Sequence, residues 1–219
     1  MVLQGPNLLL DCTRKVDKNL LNSVRDQIVQ GFELASRMGP LCHTAIRNVK
    51  LKIIDAEINE NPLERRGLTV AAKVAAHSAI LVAKPKLMEP ISFVKIQTPI
   101  PCQKLLQNHG AYVLKTEMLP GTLGYNVKGY LPARNFQAFE EALKSSSNGC
   151  ALCDGVFDHW GKVPGDPVDP KNGFRARQYM LEARRILGLE YDVHISSMSC
   201  ADPFSVLNLV LQYSGDHPT

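Results

Sequence analysis

No apolar run in this sequence is long enough to span a bilayer. The most apolar stretch, Val70 to Ala83, is 14 residues long and contains Lys73 and His77, against the roughly 20 residues that a spanning helix requires. A strong charge of one sign is missing too: 25 Lys and Arg against 21 Asp and Glu leave a formal net charge of +4, so any basic, nucleic-acid-binding surface must be local. Cysteine is sparse, with six residues at positions 12, 42, 102, 150, 153 and 200, which excludes a disulfide-stapled scaffold and reads as reduced thiols of the cytosol or nucleus. The N-terminus has no basic stretch, and Leu8 to Leu10 is too short for a signal-peptide core, so secretion is not expected. What remains is an ordinary globular composition, 45% hydrophobic and 21% charged with one Trp. Its 219 residues fit one large domain or two small ones at roughly 150 residues per domain.

The pattern along the chain supports two. Asn7 to Cys12 reads as a short strand. Asp17 can cap a long amphipathic helix through Leu21, Val24, Ile28, Phe32 and Ala35, stopped by Gly39-Pro40. Val49 to Ile58 alternates as a half-buried strand until Ile54 slips the pattern. A charged tip, residues 60–68 (ENPLERRGL), then leads to a helix that Thr69 can cap and that runs to Lys84. Pro85 and Pro90 bracket a linker, and the domain border falls there.

Beyond it the spacing predicts a strand over Ile91–Thr98, a short helix within 100–109, strands over 111–117 and 123–131, a helix over Asn135–Lys144, and a final strand over Ala151–Phe157. That order is the split βαβ of a ferredoxin-like fold, which by itself decides nothing about activity. After the Pro- and Gly-rich stretch 161–173, a last helix is expected to bury Ala176, Met180, Ala183 and Leu187, to carry Arg175, Arg177, Arg184 and Arg185 elsewhere, and to end at Gly188. The fold class is therefore α+β: two α/β-sandwich domains, the second ferredoxin-like, and a C-terminal helix. The expected divisions are 1–87, 88–160 and 161–219.

Catalytic patterns are not evident. A phosphate-cradling loop needs four residues between its Gly and Gly-Lys, whereas Gly155 and Gly161-Lys162 are separated by five and followed by Val163. Cys150 and Cys153 have the spacing of half a zinc site, but no second pair accompanies them, and they fall at a strand rather than a helix N-terminus. The six histidines are scattered and no nucleophile elbow occurs, so each His reads as a hydrogen-bonded or surface residue. The tip is the better candidate, because Arg65 and Arg66 precede a helix N-terminus and can reach phosphates. The candidate RNA or protein contacts are Arg65, Arg66, Lys73, Arg177, Arg184 and Arg185.

Five segments, GPNLLLDCT, the long run from Val16 to Ile58, AKPKLMEPISFVKIQTP, GYNVKGYLPARN and VFDHWGKVPGDPVD, resemble the C-terminal part of elongation factor 2 and its relatives, in the family's order. Within that family the chain is most similar to the spliceosomal branch, the large GTPases of the U5 small nuclear ribonucleoprotein. The segments VDKNLLNSVRDQIVQGF and GPLCHTAIRNVKLKIIDA and the tail RARQYMLEARRILGLEYDVHIS carry that likeness. Where the translocase has the histidine converted to diphthamide, this chain has Glu64. The resemblance implies domains four and five, with the last helix packing toward domain four. It implies a non-catalytic docking module of a nuclear splicing GTPase, with U5 small nuclear RNA and the large spliceosomal scaffold protein as partners. No cofactor is expected in this chain, since GTP and magnesium belong to the family's GTPase domain. The alternative reading is a ribosome-binding module of a translation or ribosome-maturation factor.

Overall fold

Asp17 does what its position predicts. Its carboxylate accepts the Asn19 amide at 2.8 Å and starts the first helix, satisfying one of the amides that a helix N-terminus leaves unpaired. The computed structural model describes residues 2–4, 6–14, 16–58, 67–121, 123–171, 173–189 and 207–213. They form two units, Met1–Lys86 with Pro164–Thr219, and Leu87–Val163.

The first unit opens with β1 (Val2–Gln4) and β2 (Asn7–Asp11), an antiparallel pair. Asn7 welds β2 to the segment before the next strand, donating from Nδ2 to the Ile46 carbonyl at 2.8 Å and accepting the Val49 amide at 3.1 Å. The expected long helix is two: α1 (Lys18–Ser23) and α2 (Arg25–Arg37). Val24 parts them at φ −116°, ψ 5°. It is fully buried with Leu21, Ile28, Phe32 and Ala35, so the apolar stripe read from the sequence is kept across the break. β3 (Lys50–Ile58) pairs parallel to β2 in even register, and against the returning strand Leu207–Tyr213 its register shifts between Ile53 and Asp55, a β-bulge where the sequence alternation slips. α3 (Leu68–Val82) begins at Gly67 without a side-chain cap. Thr69 does not cap it; its hydroxyl turns to the Gln30 side chain at 3.3 Å. α2 and α3 approach closely because Gly31 has no Cβ: one built there would lie 2.6 Å from both the Ala72 Cβ and the Thr69 carbonyl. Leu9, Leu51 and Ile53 from the sheet meet Ile28, Phe32, Ala72, Ala76 and Ile80 from the helices in one core.

At the end of β2, Asp11 accepts the Thr13 amide and hydroxyl at 2.9 and 2.6 Å and the Lys18 ammonium at 2.8 Å. Burial alone would raise its pKa, but the bonds from Lys18 and Thr13 outweigh it and hold the carboxyl at about 2, against 3.8 ordinarily. The folded state therefore binds this proton less readily than the unfolded state does. The resulting stability is complete above pH 3.8 and disappears as pH falls through about 2. Because the carboxylate is 38% exposed and the lysine 54%, solvent screening reduces the contribution to about 1 kcal/mol. Asp11→Asn should lower stability by that amount at neutral pH and flatten the acid limb of urea melts recorded across this window.

The second unit contains β4 (Met88–Thr98), α4 (Gln103–Asn108), β5 (Tyr112–Met118), β6 (Tyr125–Pro132), α5 (Phe136–Ser146) and β7 (Leu152–Lys162). The sheet order is β5-β6-β4-β7 with every neighbour antiparallel, which is the ferredoxin-like arrangement. Val94 and Ile96 of β4 and Val127 and Leu131 of β6 face Leu106 of α4 and Phe139 and Leu143 of α5 in a second core. Two strands are longer than the sequence predicts. Met88–Pro90 belongs to β4 and is not a linker, and β7 continues past Phe157; the extra residues pair with each other, Pro90 opposite Trp160. Register with β6 ends at Ile91, so this part is a two-stranded arm, where a proline is tolerated. After α5, Asn148 and Gly149 turn the chain at φ 51° and 79°.

The chain then returns to the first unit as α6 (Phe174–Ile186) and β8 (Leu207–Tyr213). β8 pairs antiparallel with β3 and completes the sheet order β1-β2-β3-β8. Gly188, at φ 66°, ends α6, and the amides of Gly188 and Leu189 return to the Arg185 and Arg184 carbonyls at 3.2 and 2.9 Å.

Candidate protein and nucleic-acid contact surfaces

Arg65 and Arg66 lie outside the described residues, as does Glu64; the structure brackets the tip between the end of β3 at Ile58 and Gly67 at the start of α3. Lys73 is half-buried on α3, one turn before His77. Burial pushes the His77 pKa down and the Lys73 charge adds to this, while hydrogen bonds to the Ala35 and Met38 backbone partly oppose it. This histidine is a core residue, 5% exposed, with the backbone of Ala35 and Met38 within hydrogen-bonding reach of its ring, while its Nε2 has no hydrogen-bond partner among the described residues.

α6 divides the remaining arginines. The expected buried stripe, Ala176, Met180, Ala183 and Leu187, is replaced by Ala176, Met180 and Arg184, spaced by four, while Leu187 is 53% exposed. Arg184 faces inward because it finds an acceptor there: its Nη1 donates to the Leu41 carbonyl at 2.7 Å. Beside it the Cys42 thiol points at the Met180 carbonyl, 3.9 Å away. Burial raises the Cys42 pKa and the Arg184 charge partly opposes that. Arg184 is therefore a structural tie between α6 and the segment after α2, which corrects its reading as a surface contact. Arg177 is half-buried, with Nη1 at 3.4 Å from the Val168 carbonyl. Arg175 and Arg185 are exposed. The sequence reading missed the exposed apolar residues at the two ends of this helix, Phe174 at 86% and Ile186 at 73%, which make α6 both basic and sticky. The signal was a pair of large apolar residues off the buried stripe.

Among the described residues no three His, Cys, Asp or Glu side chains gather to hold a metal ion. Cys150 is exposed, whereas Cys153 is held up to about 11 by burial, with Glu140 and Asp154 adding to the effect. Such a thiol is not nucleophilic at neutral pH. No described helix is long and apolar enough to cross a membrane.

Comparison with known proteins bears on both units. Residues 3–84 match the family described as elongation factor G, domain IV, and residues 86–171 match the elongation factor G C-terminus. The chain belongs to the elongation factor G family. The two matches are to that family's domain IV and C-terminus. Among its curated relatives are the 110 kDa U5 small nuclear ribonucleoprotein component CLO and the 109 kDa component GFL of Arabidopsis thaliana, each 44% identical over 208 residues. The pre-mRNA-splicing factor cwf10 of Schizosaccharomyces pombe is 37% identical over the same length. Each alignment covers 87% of this chain and 21% of the relative, so the chain spans about a fifth of their length. A crystal structure of a protein from Thermus thermophilus superposes with a TM-score of 0.62 at 20% identity, covering 83% of this chain and 26% of that one, a likeness of fold alone.

Proposed function

We propose that this chain is a non-catalytic docking portion of a splicing GTPase of the elongation factor G family, acting in pre-mRNA splicing within a nuclear U5 particle. The observation that carries this is the 44% identity to two U5 components, sustained over 208 residues. Its partners are U5 small nuclear RNA and a large spliceosomal scaffold protein. GTP and magnesium belong to a GTPase domain, and no cofactor is required here. The docking groups are the tip arginines Arg65 and Arg66 and the outward face of α6 around Arg185. The family models are described by a translation factor, which favours ribosomal RNA as the second reading.

Affinity purification of tagged chain from nuclear and cytoplasmic extract, followed by RNA sequencing, separates the two. Enrichment of U5 RNA is expected; enrichment of ribosomal RNA alone would reverse the assignment. Titration against isolated U5 RNA at two salt concentrations then tests the tip. Arg65→Ala with Arg66→Ala should weaken binding, each lost phosphate contact lowering the log–log salt slope by roughly one unit or less. Unchanged affinity against both RNA and scaffold would remove the tip from the docking surface.

A further inference from the structure

The second unit covers only one face of its sheet. Val94 and Ile96 of β4 and Val127 and Leu131 of β6 face the helices, so the residues alternating with them lie on the other face. Cross-strand register lines these up in rows. Tyr112 of β5, Tyr130 of β6 and Phe93 of β4 are consecutive neighbours in one row. Tyr130 makes edge contacts with Phe93 and with His159 of β7, at 5.8 and 5.3 Å between ring centroids. In the next row Lys115, Lys128 and Lys95 stand opposite one another across the same three strands. All three lysines are exposed, as is Tyr112 at 69%, and the Lys95 ammonium lies 5.9 Å from the Phe93 ring centroid.

Directly opposed like charges destabilise a sheet, and here the compensation is partial. Glu117 pairs with Lys115 at 2.6 Å, and Asp154 lies opposite Lys95 at the β7 side. Lys128, between two lysines, has no acidic residue opposite it in either strand. A row of rings beside a row of cations is the arrangement that holds an unpaired nucleic-acid strand, with bases stacked on π-faces and phosphates on ammonium groups. An apolar protein partner would instead take three ammonium groups out of water with only Glu117 and Asp154 beside them to balance the charge.

We infer that the uncovered sheet face of the second unit binds a single strand of RNA, with bases on Tyr112, Tyr130 and Phe93 and phosphates on Lys95, Lys115 and Lys128. The single-strand character follows from the face itself. That the strand is RNA rests on the splicing reading above.

The test uses the full chain and fluorescence anisotropy with labelled oligonucleotides of about ten residues, within the site size such surfaces take: a mixed-sequence RNA, the DNA of the same sequence, and the RNA duplex. The single-stranded RNA should bind tightest. Tyr112→Ala with Tyr130→Ala should weaken it on the order of tenfold or more, while Tyr112→Phe with Tyr130→Phe should keep the affinity, since stacking needs the ring and not the hydroxyl. Lys95→Gln, Lys115→Gln and Lys128→Gln together should lower the salt slope by about two. Melting curves of the Phe and Gln variants matching wild type establish that the fold is intact. Affinity for single strands unchanged in both the Ala and Gln variants would overturn the proposal, as would a duplex bound as tightly as the single strand. DNA bound as well as RNA, with the same losses in the variants, would uphold the face and overturn the RNA assignment.

Discussion

Phe139→Ala should cost the second unit about 3–5 kcal/mol, the range for truncating a buried aromatic ring. The ring is fully buried. It lies against the inward residues of the two central strands and touches the His109 ring edge-on at 5.7 Å between centroids. Nothing neighbouring can fill the space, because Leu106, Leu131, Leu143, Val94 and Ile96 are themselves closely packed at 0–1% exposure. Urea melts followed by Trp160, the sole tryptophan and a residue of this unit's β7 arm, should show the transition move to much lower denaturant. Far-UV dichroism should retain a second transition from the first unit, whose core shares no residue with this one. A single transition shifted as a whole would mean that the units unfold together.

Arg184→Ala is the second large effect, about 2–3 kcal/mol in the first unit, the value of a hydrogen bond to a charged group whose loss leaves a buried carbonyl without that donor. Arg184→Met keeps the packing of the stem and should recover part of this. Arg185→Ala, one residue on and exposed, should stay within about 0.5 kcal/mol. The pair of variants separates fold from docking on one helix. Arg184→Ala is expected to lower the melting temperature and Arg185→Ala to weaken partner association at an unchanged melting temperature. A stable Arg184→Ala protein that binds poorly would restore Arg184 to the contact surface.

The division between these two arginines was not readable in advance. Helical spacing placed Arg184 off the apolar stripe, since the stripe was drawn through Ala183 and Leu187. A guanidinium enters a protein interior only where an acceptor awaits it, and the acceptor here, the Leu41 carbonyl, is 143 residues away in the chain. The break of the first long helix at Val24 was not readable either, since the apolar stripe runs through it without interruption and all five of its residues are buried.

What the sequence determined by itself was whatever a few neighbouring residues decide. The Asp17 cap, the Gly188 stop, the slip at Ile54 that became a bulge, and the βαββαβ order all follow from local hydrogen-bonding capacity, backbone freedom and side-chain alternation. The family was legible for a related reason: its motifs are contiguous. Tertiary structure decided whatever depends on register between distant segments. Leu207–Tyr213 became a strand by pairing with β3, and the β4–β7 arm lengthened because each strand supplied the other's hydrogen bonds. Lys95, Lys115 and Lys128 belong to three separate stretches of sequence, each with a single lysine on an alternating strand. Only the hydrogen-bond register across β5, β6 and β4 sets them side by side beside three aromatic rings, because a shift of one residue would send each to the opposite face.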